Sequence, residues 1–240
     1  MLNYNQLKEK QKEFLAATGL YPEEFERLLP VFKEKYSLVR PTDQTKKGKQ
    51  RQRRKGGGTK GKLRLDEDKL LFILVYQKTY PLQTMHGLQF EMSQPQANYW
   101  VHHLLPVLQE SLAALGLKPE RDAKKVGDSL MMAETSADLL IDGTERRMQR
   151  PIDGEKQAKH YSGKKKTHTD KNLVLVNNQT KKVLYLGPTV GGQTHDKKMV
   201  DENPICYPAG ATLGKDTGFQ GYEPPGVMTF QPKKSRRGRR

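Results

Sequence analysis

Three aspartates stand where a carboxylate can do chemistry. Asp142 closes the apolar run Leu139-Leu140-Ile141 and is followed by Gly143-Thr144. Asp196 lies in Gly-Gly-Gln-Thr-His-Asp-Lys-Lys, and Asp216 in Leu-Gly-Lys-Asp-Thr-Gly-Phe. A buried strand that ends in a carboxylate can hold a hard cation, because magnesium prefers oxygen ligands and keeps waters at its remaining positions. Two such ions on one scissile phosphate would activate the attacking hydroxyl and stabilise the leaving oxygen, which needs acids from separate strands. Each residue also suits an ordinary role: Asp142-Gly143 is a turn dipeptide, Asp196 a fair helix N-cap, and Asp216 a loop residue beside Thr217-Gly218. His168 and His195 could bind metal, although a lone histidine is more often structural or solvated.

The elements that must position these acids follow a strand period from Ala137 onward. Ala137 to Ile141 is a short apolar run leading into Asp142. Asn172 to Val176 and Val183 to Leu186 flank the turn Asn177-Asn178-Gln179-Thr180 and predict a hairpin. A strand near Thr212 leads into Asp216, and a helical segment spans Asp196 to Glu202. Together these imply a mixed α/β sheet.

The first 117 residues follow a helical period. Gly19 closes one helix and Pro22 opens the next, whose Phe25, Leu28, Leu29, Phe32 and Tyr36 share a face; Pro30 is expected to bend or shorten it. Further on, Asp66 is expected to cap a helix ended by Tyr80-Pro81, and Leu82 to Phe90 forms a short second one. Ser93 starts a third through a capping box with Gln96, carried by Trp100, Leu104, Leu108, Leu112 and Leu115, with a kink expected at Pro106. Trp100 shares the face of Leu104 and Leu108 and reads as core. Two helices and a third across a tight turn describe a helix-turn-helix, in which Gln94, Gln96, Asn98 and His102 would read bases in the major groove. A plain three-helix bundle has the same outline.

Charge supports a polyanion partner. The net charge is +16, yet residues 44–62 carry nine Lys or Arg and no acid, and residues 233–240 carry six and no acid. Elsewhere 28 basic residues face 27 acidic ones. The excess therefore sits in two strips, with Arg51, Arg53 and Arg54 in the first, suited to following phosphates. Nucleic acid is favoured over a membrane surface because no amphipathic apolar stripe accompanies the charge. Lys164, Lys165 and Lys166 offer a further phosphate contact or a solvated loop. No apolar run can span a bilayer, no secretory signal opens the chain, and the single cysteine, Cys206, excludes an internal disulfide; a soluble cytoplasmic protein is expected.

Taken in order, Ile-Asp-Gly-Thr-Glu, Tyr-Ser-Gly-Lys-Lys-Lys-Thr-His-Thr, Gly-Gln-Thr-His-Asp-Lys-Lys and Asp-Thr-Gly-Phe-Gln-Gly-Tyr resemble the DDE superfamily endonuclease domain of bacterial insertion-sequence transposases, related to the Harbinger group. The segment from Leu65 to about Leu117 resembles the helix-turn-helix that precedes that domain. The resemblance implies a ribonuclease-H-like sheet, a divalent metal (Mg2+ or Mn2+), DNA at transposon terminal repeats as partner, and more than one copy assembled on DNA near the nucleoid. Asp142 matches the first acid. The second is Asp196 or Asp216, which follow it by 54 and 74 residues, and spacing does not choose between them. The family's third acid, a later glutamate on a helix, has no match: Glu223 follows Asp216 too closely. The expectation is thus a C-terminally truncated copy, or the first frame of a gene completed by frameshifting, whose strand cleavage alone is negligible.

These readings amount to an α+β chain: a helical pair over 1–43, a basic linker over 44–64, a helix-turn-helix over 65–117, an incomplete nuclease core over 136–232 and a basic tail over 233–240. The rival reading is a non-catalytic DNA-binding protein or regulator derived from a transposase. An RNA-binding protein is disfavoured because the aromatic sheet motifs of such modules are missing.

Overall fold

The computed structural model describes residues 1–39, 50, 61–128 and 137–232. The chain divides into two compact units, Met1–Leu117 and Lys118–Arg240.

The first unit is helical: α1 (Tyr4–Leu7), α2 (Gln11–Thr18), α3 (Pro22–Val39), α4 (Asp66–Thr79), α5 (Gln83–Gln89) and α6 (Gln94–Ala114). Gly19 ends α2 in the left-handed region at φ 76°, which a residue without a Cβ adopts without strain. Helix α3 runs through Pro30 without interruption. The missing N–H removes one intrahelical bond, while Phe25, Leu28 and Phe32 anchor both sides of it in the core. Helix α6 likewise continues through Pro106, held by Leu104, Val107 and Leu108. Residues Leu70 to Val75 of α4 are all buried, so this helix is the central one and its apolar character extends all round. Its N-cap is Leu65 rather than Asp66; Asp66, Glu67 and Asp68 instead occupy the first turn, where their charge complements the helix dipole. Tyr4, Phe14 and Phe25 pack as an aromatic cluster, Tyr4 and Phe25 stacked at 4.7 Å between ring centroids. Trp100 is partly buried against this core, as its position on the face of Leu104 requires.

The second unit is a mixed sheet: β1 (Asp138–Arg147), β2 (Tyr161–Ser162), β3 (Thr167–Asn177), β4 (Val183–Gly191), β5 (Thr212–Lys215) and β6 (Met228–Phe230), with α7 (Gly154–His160) and α8 (Asp196–Glu202). Strand β3 pairs antiparallel with β1, β2 and β4, while β5 pairs parallel with both β1 and β6. The expected hairpin is β3–β4, longer than its apolar centre because pairing extends to Asp170 opposite Gly191, with register shifts between Asn172 and Val174 and between Leu175 and Val176. Strand β1 does not stop at Asp142; Thr144 to Arg147 continue the ladder against Asn172 to Thr169. Alternation along β1 turns Leu139 and Ile141 into a core shared with Leu173, Leu175, Leu213, Met199, Val200 and Phe219, while Leu140 and Asp142 face out.

Candidate active site

Register decides what the strands bring together. The parallel ladder between β1 and β5 pairs Ile141 with Lys215, so Asp142 and Asp216 occupy the next level on adjacent strands. Both are exposed, and both line one cavity of about 600 Å³ together with Leu140, Gly214 and Phe230. Each carboxylate is held by a backbone amide: Gly143 N donates to Asp142 at 2.7 Å and Gly218 N to Asp216 at 2.8 Å. Neither carries an ion pair among the described residues.

Asp196 is placed differently. It is the first residue of α8, and the N-cap is His195, whose ring Nδ1 accepts from Lys197 N at 3.4 Å. The cap position predicted for Asp196 thus belongs to its neighbour, which frees the Asp196 carboxylate to reach the sheet. There it accepts from Lys171 Nζ at 3.0 Å. Lys171 also donates to Thr194 O at 3.0 Å and lies 3.5 Å from Glu145 Oε1. The side chains of Lys171 and Glu145 are only 8% and 6% exposed. Burial pushes the Glu145 carboxyl up, but hydrogen bonds from Ser162 and Thr169 and the Lys171 charge prevail and hold it below its ordinary value. Glu145, Lys171, Asp196 and Asp216 line a second cavity of about 380 Å³, and Lys164 joins them. Lys165 and Lys166 stand exposed on the same turn between β2 and β3.

Lys171 and Glu145 were not singled out from sequence. Lys171 lies on the inward phase of Thr169, Leu173 and Leu175, and a lysine on a buried phase demands an acidic partner. That is the signal that would have found them.

In the helical unit Gln94 and Asn98 both donate to Gln83 Oε1, at 2.7 and 3.1 Å. Gln96 is engaged at the start of α6, its Oε1 accepting from Ser93 N at 3.1 Å, and His102 is exposed one turn beyond Asn98. Gln83 is the residue of this group that sequence reading missed. Arg51, Arg53 and Arg54, most of the 44–64 linker and the 233–240 tail lie outside the described residues.

Residues 141–239 match the family described as DDE superfamily endonuclease, and residues 62–114 match the helix-turn-helix of DDE superfamily endonuclease. Together the two matches take in more than half of the chain. The two matched segments are those of DDE superfamily endonucleases. Asp142, Lys171, Asp196 and Asp216 all fall within the endonuclease match, and Gln83, Gln94, Asn98 and His102 within the helix-turn-helix match. The chain is also 24% identical over 188 residues to the probable transposase for insertion sequence element IS702 of Microchaete diplosiphon, an alignment covering 78% of this chain and 64% of that protein. It thus spans less than two thirds of that relative's length. No solved structure matches the chain. Among the described residues no helix is long and apolar enough to cross a membrane.

Proposed function

We propose that this protein acts as a DDE-type transposase: its helix-turn-helix binds transposon-end DNA, and Asp142 and Asp216 hold a divalent cation, Mg2+ or Mn2+, at the phosphate to be cut. The observation that carries the reading is the β1–β5 register, which sets the two acids level on parallel neighbouring strands at one cavity. It favours Asp216 over Asp196 as the partner of Asp142. The donor set suits such an ion, since magnesium is commonly held by one or two carboxylates with waters and substrate phosphates completing its shell. Both carboxylates are exposed and unpaired with any cation among the described residues, whereas Asp196 already holds an ammonium. Among the described residues no set of three His, Cys, Asp or Glu forms a cation site. When bound, the cation supplies charge to the scissile phosphate and lowers the pKa of an attacking water.

The protein's own groups do the rest. Gly143 N and Gly218 N orient the acids, Lys164 faces the second cavity where it can meet a phosphate oxygen, and Gln94, Asn98 and His102 present donors and acceptors to base edges. Similarity to the probable insertion-sequence transposase, 24% identical over 188 residues, supports the same class of substrate.

The test separates the two halves. Selection of bound duplexes from a random library reads the head, and Mn2+ titration reads the acids. We expect Asp142→Ala to abolish Mn2+ binding while leaving the selected DNA bound as tightly as by the wild type, and any metal-dependent nicking to vanish in the same variant. Mn2+ binding that survives Asp142→Ala would remove the basis of the reading.

A further inference from the structure

Behind the acid pair lies a group of buried charges that does not reach the cavity shared by Asp142 and Asp216. Lys171 Nζ has three hydrogens, and three acceptors surround it: Asp196 Oδ1 at 3.0 Å, Thr194 O at 3.0 Å and Glu145 Oε1 at 3.5 Å. A buried ammonium so satisfied is fixed, because moving it would strand charge in a poorly solvated place. The Asp196 carboxylate is therefore fixed as well, and its surroundings show what it holds. A Cβ on Gly143 would fall inside the contact radius of Asp196 Oδ1, and a Cβ on Gly218 would lie 2.6 Å from Asp196 Oδ2. Asp196 thus packs against two glycines. They are the two whose amides hold the carboxylates of Asp142 and Asp216.

On the reading of Asp142 and Asp216 as the cation site, we propose that Asp196, anchored by Lys171, is a positioning residue: it wedges the backbone behind both acids and sets their separation without binding the cation itself. An ion on Asp196 would have to displace the ammonium or sit against its like charge. The wedge also explains why both glycines lack room for a side chain. A substitution at Gly143, Gly218 or Asp196 moves the same two backbone segments, so the three act on one property, the affinity of the acid pair for a cation.

The experiment is Mn2+ titration of the full chain by calorimetry, with thermal melting of each variant alongside. Asp142→Asn reports on the site itself. Asp196→Asn keeps the shape of the wedge and an oxygen for Lys171 but loses the charge a ligand needs; Asp196→Ala removes the wedge. We expect Asp142→Asn to abolish binding and Asp196→Asn to stay near the wild-type affinity. Asp196→Ala should lose about tenfold, as outer-shell supports of metal sites commonly do. Asp196→Asn falling as far as Asp142→Asn would make Asp196 a ligand and overturn the proposal, as would an unchanged affinity in a folded Asp196→Ala. Should Asp196→Ala fail to fold, Asp196→Asn decides alone by the same criterion. Binding untouched by Asp142→Asn would instead overturn the cation site, and the positioning role with it.

Discussion

Asp142 on β1 stands level with Asp216 at the end of β5, because Ile141 and Lys215 form the last pair of the parallel ladder between them. Two carboxylates so placed can share a cation. We predict that Asp142→Asn and Asp216→Asn each lower Mn2+ affinity by at least about tenfold, and that the double variant is little worse than either single one, as expected of residues acting as a unit. Melting temperatures should stay the same or rise slightly, since each substitution removes an exposed like charge. Calorimetry on the four proteins checks this; strictly additive losses would show that the acids bind separate ions.

The acid pair was half legible in the sequence. Asp142 follows an apolar strand and announces itself, but the choice between Asp196 and Asp216 is a matter of strand adjacency. Three further strands and two helices separate β1 from β5, and spacing along the chain carries no record of which later strand returns beside the first. The helices were easier, since Gly19, the Ser93–Gln96 cap and the period of α3 are local signals. Neither internal proline ends its helix, because tertiary packing on either side outweighs one lost hydrogen bond. The extent of β1 was missed for a similar reason: Thr144, Arg146 and Arg147 are polar and gain their strand conformation from pairing with β3 rather than from burial.

Gln83 offers one oxygen to two amides, those of Gln94 and Asn98. Fixing these side chains before DNA arrives lowers the entropy cost of reading bases. Gln83→Ala should therefore reduce discrimination between the best duplex and a singly mismatched one by about tenfold, within the range of one good base contact. The slope of affinity against salt should not change, because no phosphate contact is lost. Gln83→Glu keeps the acceptor and should retain discrimination. A uniform loss of affinity across sequences would show that Gln83 supports the fold of the head instead.

Gly87 sits at the end of α5, where its carbonyl accepts from both Phe90 N and Met92 N and the chain turns back toward α6. A Cβ there would lie 2.6 Å from Met92 O, a backbone atom that cannot swing aside. Alanine favours helix over glycine by up to about 1 kcal/mol. The collision forces a backbone shift whose usual cost is on the order of 1–3 kcal/mol. The clash should win, so Gly87→Ala is predicted to destabilise the helical unit in urea unfolding and to weaken DNA binding with it. A more stable Gly87→Ala protein would mean that the turn is more open than described.

His86 is fully buried in the same unit, its ring 4.2 Å from that of Phe72, 5.4 Å from Tyr76 and 5.1 Å from Phe90. Burial among these rings, where neither ring nitrogen finds a hydrogen-bond partner, disfavours the imidazolium and pushes the pKa down from 6.5 to about 4. The folded chain therefore keeps His86 neutral where the unfolded chain takes up a proton. Stability is fully present above pH 6.5 and is lost as pH falls from there toward 4, because the unfolded state binds more protons across that window. At 1.36 kcal/mol per pH unit the loss reaches about 2 kcal/mol by pH 5. Carboxylates titrate in part of the same range, so the comparison is with His86→Leu, which leaves them in place. Urea unfolding at pH 7 and pH 5 should show the wild type losing about 2 kcal/mol more than His86→Leu over that interval. Equal losses in the two proteins would place His86 in a site that accepts its proton without strain.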